Sequence, residues 1–173
     1  MSVNSEVMQH ELNTPPFLKR LGAFDWVWAL LVVTGSIAAH RIYSSFMDSY
    51  EVGILYGSAA GLIWLGWGWK PMRGFSLAVA LLSLAAVGLY GSELARAESS
   101  FFLKFLISSQ SAIMWMSALY VMATVTYMFA LVIGSNFSGK VASAMTWSAT
   151  VMGSVGLMVR WRESHLMGSD IGH

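Results

Sequence analysis

The sequence predicts an all-α, polytopic membrane protein with about five transmembrane helices. Of its 173 residues, 56% are hydrophobic and only 11% are charged, whereas a soluble domain carries about 25% charged residues. The few charges border long uncharged intervals, and a helix needs about 20 mostly apolar residues to cross a bilayer core of ~30 Å. Because backbone amides cannot stay unpaired in lipid, helices are the expected spanning structure.

The uncharged intervals place the spans near residues 24–44, 51–69, 74–92, 110–134 and 141–161. The third interval contains Ala-Val-Ala-Leu-Leu-Ser-Leu-Ala-Ala-Val-Gly-Leu, which suits a helix surrounded by lipid or other helices. Phenylalanines and serines in residues 101–111 indicate an interfacial segment before the fourth span. We therefore expect a helix bundle over residues 24–161. A polar cytoplasmic tail, 1–23, precedes it, and the start of an extracytoplasmic segment, 162–173, follows.

Basic residues predict the orientation in the membrane. One side of the predicted bundle carries Lys19, Arg20, Lys70, Arg73 and Lys140. By the positive-inside rule this side is cytoplasmic, which puts the N-terminus inside and the loops near 45–50 and 93–109 outside. The opposite side carries Arg96, Lys104, Arg160 and Arg162, which oppose this orientation. No apolar signal-peptide core precedes Phe24, so no cleaved signal is expected.

Few residues are candidates for chemistry. The chain has no Cys, which excludes disulfides, thiolate metal sites and covalent haem attachment to this chain. A formal charge of +1 argues against nucleic-acid binding. Among the four His, only His40 lies near a span, which makes it the weak candidate for a cofactor ligand. No His pair has metal-ligand spacing and no carboxylate pair lies in a span, so neither a metal site nor a catalytic residue is expected.

The aromatic and small residues favour structural roles. Clustered tryptophans at the predicted span ends are typical of an interfacial aromatic belt: Trp26, Trp28, Trp64, Trp67, Trp69 and Trp161. Methionines along the last two spans are expected to fill helix contacts: Met114, Met116, Met122, Met128, Met145, Met152 and Met158. Two small-residue stretches, 57–61 and 153–156, suit close helix packing.

Two further stretches resemble a known family. Near the C-terminus the chain reads Val-Arg-Trp-Arg-Glu-Ser-His-Leu over residues 159–166, then Asp-Ile-Gly-His over 170–173. This resembles the approach to the Gly-His-x-Pro-x-Ser-Asn-Leu-Tyr-Glu element of the ResC/CcsA family, also named CcsB in some bacteria, of System II cytochrome c biogenesis. Residues 103–115, Leu-Lys-Phe-Leu-Ile-Ser-Ser-Gln-Ser-Ala-Ile-Met-Trp, resemble the N-terminal region of bacterial members.

The resemblance implies a role in cytochrome c assembly at the bacterial cytoplasmic membrane. The complete protein would work with a ResB-type partner to export haem and attach it to apocytochrome c, as a haem lyase. Residues 64–69 lack the spacing and the Asp of the family's Trp-rich haem element, and the sequence stops before the expected Pro. The chain is therefore expected to be the N-terminal scaffold part, which binds no haem alone.

Two other functions remain open. The first is a non-catalytic multi-pass membrane subunit or transporter half without cofactor. The second is a subunit that binds b-type haem or quinone, which normally needs His ligands on facing helices. Since only His40 lies near a span, the sequence favours this last function least.

Overall fold

A computed structural model describes residues 20–45 and 47–171, with side chains through residue 167, and all regular structure in that part is helical. The α-helices are α1 Ala23–Tyr43, α2 Ser49–Gly68, α3 Pro71–Tyr90, the short α4 Arg96–Ser99, α5 Ser109–Ile133 and α6 Asn136–Ile171. A π-helical turn, Leu103–Ile107, lies between α4 and α5. Cap residues set several of these ends: Asp48 and Glu51 form a capping box at α2, and Ser108 caps α5.

The protein is an all-α multi-pass membrane protein, as predicted. Four helices among the described residues are long and apolar enough to cross a membrane: α1, α3, α5 and Asn136–Met167 of α6. Helix α2 coincides with the second predicted span and has 20 residues, but it is not one of these four.

The last helix is longer than the sequence predicts. It has 36 residues, which is about 54 Å at the rise of an α-helix, and it extends through most of the segment 162–173. No proline interrupts the chain after Arg162, and Glu163 and Leu166 are buried against the rest of the molecule. Buried contacts therefore keep the chain helical past the predicted end of the span.

The chain divides into two compact units, Met1–Arg73 and Gly74–His173, with the boundary in the first turn of α3.

In the first unit, α1 and α2 form an antiparallel hairpin. Trp28 is only 5% exposed and its indole N–H donates to the Leu62 carbonyl over 3.1 Å, while its ring covers Gly66. The interfacial-belt prediction is therefore wrong for Trp28, because the hairpin buries its ring.

A methyl group at Gly66 is expected to weaken this hairpin, because a Cβ there would overlap the Trp28 indole. We expect Gly66→Ala to cost about 1–3 kcal/mol, the usual cost of overpacking. Gly61→Ala is the matched control on the same helix, since a Cβ at Gly61 meets open space. Unfolding by SDS in mixed micelles, followed by circular dichroism, measures both. Equal stabilities of the two variants would contradict the Trp28 packing.

In the second unit, α5 and α6 form an antiparallel hairpin joined at Gly134. This glycine ends α5 with a φ of 69°, a left-handed conformation that glycine adopts without strain. Buried alanines line the hairpin: Ala112, Ala123, Ala142 and Ala149. Gly153 lies against Met116, and Gly156 against Ile113, which confirms close packing at the second small-residue stretch. The glycines of the first stretch, 57–61, meet open space instead.

The predicted packing role of the methionines holds only in part. Met116 packs on Gly153, and the Met145 sulfur lies 3.8 Å from the Thr126 hydroxyl. Four others are half exposed or more: Met114, Met122, Met128 and Met158. These four lie on the outward faces of α5 and α6, where a membrane would supply their apolar surroundings.

Candidate functional site

A buried carboxylate joins three helices at one end of the second unit. Glu163 of α6 is 7% exposed. The Tyr90 hydroxyl donates to its Oε1 over 2.6 Å, and the Ser109 amide donates to the same oxygen over 3.1 Å. The Ser109 hydroxyl donates to Oε2 over 2.5 Å. We name these residues, together with Arg160 and Arg162, the Glu163 cluster.

The position of Glu163 matches the electrostatics of α5. Ser109 is the first residue of that helix, and a helix N-terminus carries partial positive charge and unpaired amides. The Ser108 hydroxyl accepts from the Ser111 amide over 3.3 Å, and Glu163 accepts from the Ser109 amide. Glu163 therefore acts as a second cap, supplied by a distant part of the chain.

Arg162 interacts with a helix C-terminus, that of α3. Its Nη2 donates to the Gly91 carbonyl over 2.9 Å, directly after the last residue of α3. A cation is favourable at a helix C-terminus, where the carbonyls are unpaired. Arg162 and Glu163 are neighbours on α6. They thus place a guanidinium group at the C-terminus of α3 and a carboxylate at the N-terminus of α5. Arg160, more exposed, approaches Glu163 with Nη1 at 3.5 Å.

The predicted interfacial segment is the π-helical turn and its contacts with α5. Leu103 and Ile107 are buried, while Lys104, Phe105 and Leu106 are exposed. The Ser111 hydroxyl donates to the Lys104 carbonyl over 2.6 Å, and the Trp115 indole donates to the Phe105 carbonyl over 2.7 Å. These side chains donate to carbonyl groups of the π-helical turn, which lies between α4 and α5. Because those carbonyls are hydrogen-bonded, irregular backbone is tolerated beside a membrane span.

Chemically, the Glu163 cluster is a positioning site. Both carboxylate oxygens already accept hydrogen bonds from protein donors, so the group is not presented to a substrate as a base or nucleophile. The cluster joins segments that are far apart in sequence through charge-assisted hydrogen bonds. Glu163, Ser109 and Tyr90 are not recognisable as a group from the sequence alone. The one signal for them is an acid placed within the basic stretch at the end of the last span.

A partly buried ion pair lies at one end of the α1–α2 hairpin. Arg73 pairs with Asp25, and its Nε donates to the Gly66 carbonyl over 2.7 Å. The Trp67 indole donates to the Asp25 carbonyl over 3.0 Å, and its ring meets Trp26 edge-on. Arg73 thus satisfies a carbonyl at the end of α2 and holds the start of α1. It is a structural residue as well as the predicted topology marker.

His40, the candidate ligand, lies in the last turn of α1. It is partly buried, and its ring centroid lies 5.8 Å from that of Tyr56 on α2. Its Nδ1 is buried without a hydrogen-bond partner among the described residues. His165 is exposed on α6, whereas His10 and His173 lie outside the described residues. His40 stays a prediction as a ligand.

The described part of the chain contains no group of three His, Cys, Asp or Glu side chains that could hold a metal ion. Most of the remaining belt tryptophans are exposed, as the prediction requires: Trp26, Trp64, Trp69 and Trp161 are 51–76% exposed.

Comparisons of this chain with protein-family models, with curated proteins and with solved structures gave no match.

Proposed function

We propose that this chain is the N-terminal membrane scaffold of a System II cytochrome c assembly protein of the ResC/CcsA type. In this proposal it lies in the bacterial cytoplasmic membrane with its N-terminus inside. The observation that supports it most is the Glu163 cluster, because the cluster joins the two stretches on which the resemblance rests.

The two stretches, 103–115 and 159–166, are separate in sequence and adjacent in the fold. Glu163 of the second stretch accepts two hydrogen bonds from Ser109 of the first. Leu103 and Val159, one from each stretch, are fully buried in the same hydrophobic core. This contact supports reading the two stretches together.

The part of α6 beyond the Glu163 cluster supports a scaffold role. Helix α6 continues from Glu163 to Ile171, a further eight residues, which is about 12 Å. Fixing Glu163 against α3 and α5 fixes the direction of this extension. The scaffold would hold the later, haem-handling half of the protein in position toward a ResB-type partner and apocytochrome c.

Haem itself is not assigned to residues of this chain. His40 has its Nδ1 buried beside Tyr56 and His165 is exposed near the end of α6. In this proposal neither histidine is given a haem-ligating role. Haem export and attachment would depend on parts of the protein outside this chain.

The proposal is tested by deleting the gene in its host. Cells should lose covalently bound haem from their c-type cytochromes, seen as lost haem staining on denaturing gels, and should keep b-type cytochromes, seen in reduced-minus-oxidised spectra. A plasmid copy of the wild-type gene should restore the staining. Normal c-type staining in the deletion strain would contradict the proposal and favour a non-catalytic membrane subunit or transporter half.

A further inference from the structure

An apolar cleft of about 560 Å³ opens on one side of the second unit. Its walls come from α3, α5 and α6, and Leu106 of the π-helical turn also lines it. We propose that this cleft binds one acyl chain of an anionic phospholipid, whose headgroup lies at Lys104.

The walls of the cleft select an apolar ligand. Phe75, Trp115 and Trp147 contribute aromatic rings, and Ser148 contributes the only hydroxyl among the lining residues. The Trp115 indole N–H already donates to the Phe105 carbonyl. A site with so few free polar groups does not hold water or a polar ligand well.

The shape and surroundings of the cleft favour a lipid chain. On α3 it extends from Gly74 to Leu82, which is about 12 Å along the helix axis. All three of its helices are long and apolar enough to cross a membrane, so acyl chains are the molecules that surround its mouth. A flexible chain can follow an elongated apolar groove along the membrane normal.

The headgroup assignment rests on the charge carried by the π-helical turn, which lines the cleft through Leu106. Lys104 is exposed on the same π-helical turn as Leu106, and its ammonium lies 5.6 Å from the centroid of the Phe105 ring. The hydrogen bond from Trp115 to Phe105 ties this turn to the cleft wall. Phe101 and Phe102 are also exposed here, and aromatic and basic side chains together are typical of the lipid headgroup region.

Quenching by brominated lipid tests the proposal. The purified chain is reconstituted in phosphatidylcholine vesicles that contain a fixed fraction of dibromo-acyl phosphatidylglycerol or dibromo-acyl phosphatidylcholine. Bromine quenches tryptophan at contact distance, so the total tryptophan fluorescence, to which Trp115 and Trp147 contribute, should be quenched more by the anionic lipid. Ala78→Phe, which fills the cleft, should lose this excess. Ala80→Phe is the matched control, because Ala80 is exposed outside the cleft, and should keep it.

Lys104→Gln provides a second variant that does not change the core. It should abolish the difference between the two brominated lipids. Mass spectrometry of the detergent-purified protein should also show phosphatidylglycerol retained by the wild type and lost from Lys104→Gln. Equal quenching by both lipids in the wild type would overturn the proposal. So would an excess that survives both Ala78→Phe and Lys104→Gln, or photo-cross-linking from position 78 to a protein helix in place of lipid.

Discussion

Replacing Glu163 with alanine is expected to destabilise the Gly74–His173 unit by about 3–5 kcal/mol, because three buried donors lose their charged acceptor. The substitution leaves the Tyr90 hydroxyl and both donors of Ser109 without their acceptor. Each buried donor left unpaired costs about 1–3 kcal/mol. Unfolding by SDS in mixed micelles, followed by circular dichroism, measures the loss.

Glutamine in place of Glu163 keeps the shape of the side chain but reduces the number of hydrogen bonds that it can accept. Glu163→Gln keeps one acceptor oxygen but turns an amide donor toward Tyr90 or Ser109, so we expect an intermediate loss of stability. Glu98→Ala is the control, because Glu98 is exposed and surface substitutions usually change stability by no more than about 0.5 kcal/mol. Amide exchange at the start of α5 should accelerate in Glu163→Ala alone. Equal behaviour of Glu163→Ala and Glu98→Ala would show that Glu163 does not hold the helices.

The same pair of variants connects stability to the proposed function. In the deletion strain, Glu98→Ala should restore haem staining of c-type cytochromes as well as the wild type does. Glu163→Ala should restore it poorly, because α6 would no longer be fixed against α3 and α5. An immunoblot of the membrane fraction distinguishes misplaced helices from loss of the protein.

Charge placement made the helices predictable, because a charge is costly within a membrane span and therefore marks its ends. The fourth predicted span, 110–134, differs from α5, Ser109–Ile133, by one residue at each end. The extent of α6 was less predictable. A span ends where charges begin, but a helix ends where its contacts end, and Glu163 and Leu166 are buried past the charged residues.

Contacts between distant residues were not predictable from the pattern of residues. Glu163 lies 54 residues from Ser109 and 73 from Tyr90, and their meeting depends on how three helices are rotated about their axes. Trp28 shows the same limit, since tryptophan suits both a lipid interface and a tight helix contact. The distinguishing feature was Gly66, a residue small enough to receive the indole across the hairpin.

Leucine at Gly156 is expected to separate α5 from α6 and to cost about 3 kcal/mol, the upper part of the range for overpacking. A Cβ there would lie 3.0 Å from Ile113 Cγ1 and 3.4 Å from both the Ala112 Cβ and the Ser109 carbonyl oxygen. Neither backbone nor an alanine methyl can rotate away, so the helices must move. Gly153→Ala should be milder, because the atoms it meets belong to the flexible Met116 side chain.

Gly139→Leu is the matched control on α6, because a Cβ at Gly139 meets open space. Since leucine has a higher helix propensity than glycine, by about 1 kcal/mol, this variant should be at least as stable as the wild type. The chain has no Cys, so spin labels at the exposed sites Val121→Cys and Leu157→Cys report the distance between α5 and α6 without background. The distance should increase in Gly156→Leu and not in Gly139→Leu.

The effects of Gly156→Leu and Glu163→Ala should not be additive. Gly156 and Glu163 lie seven residues apart on one face of α6, and both contact Ser109. Moving α5 away at Gly156 would also draw Ser109 from the carboxylate, so the first substitution already loses part of what the second removes. The double variant should therefore be less destabilised than the sum of the single ones, as expected for sites that share a partner. Strict additivity would mean that glycine packing and the Glu163 cluster hold α5 independently.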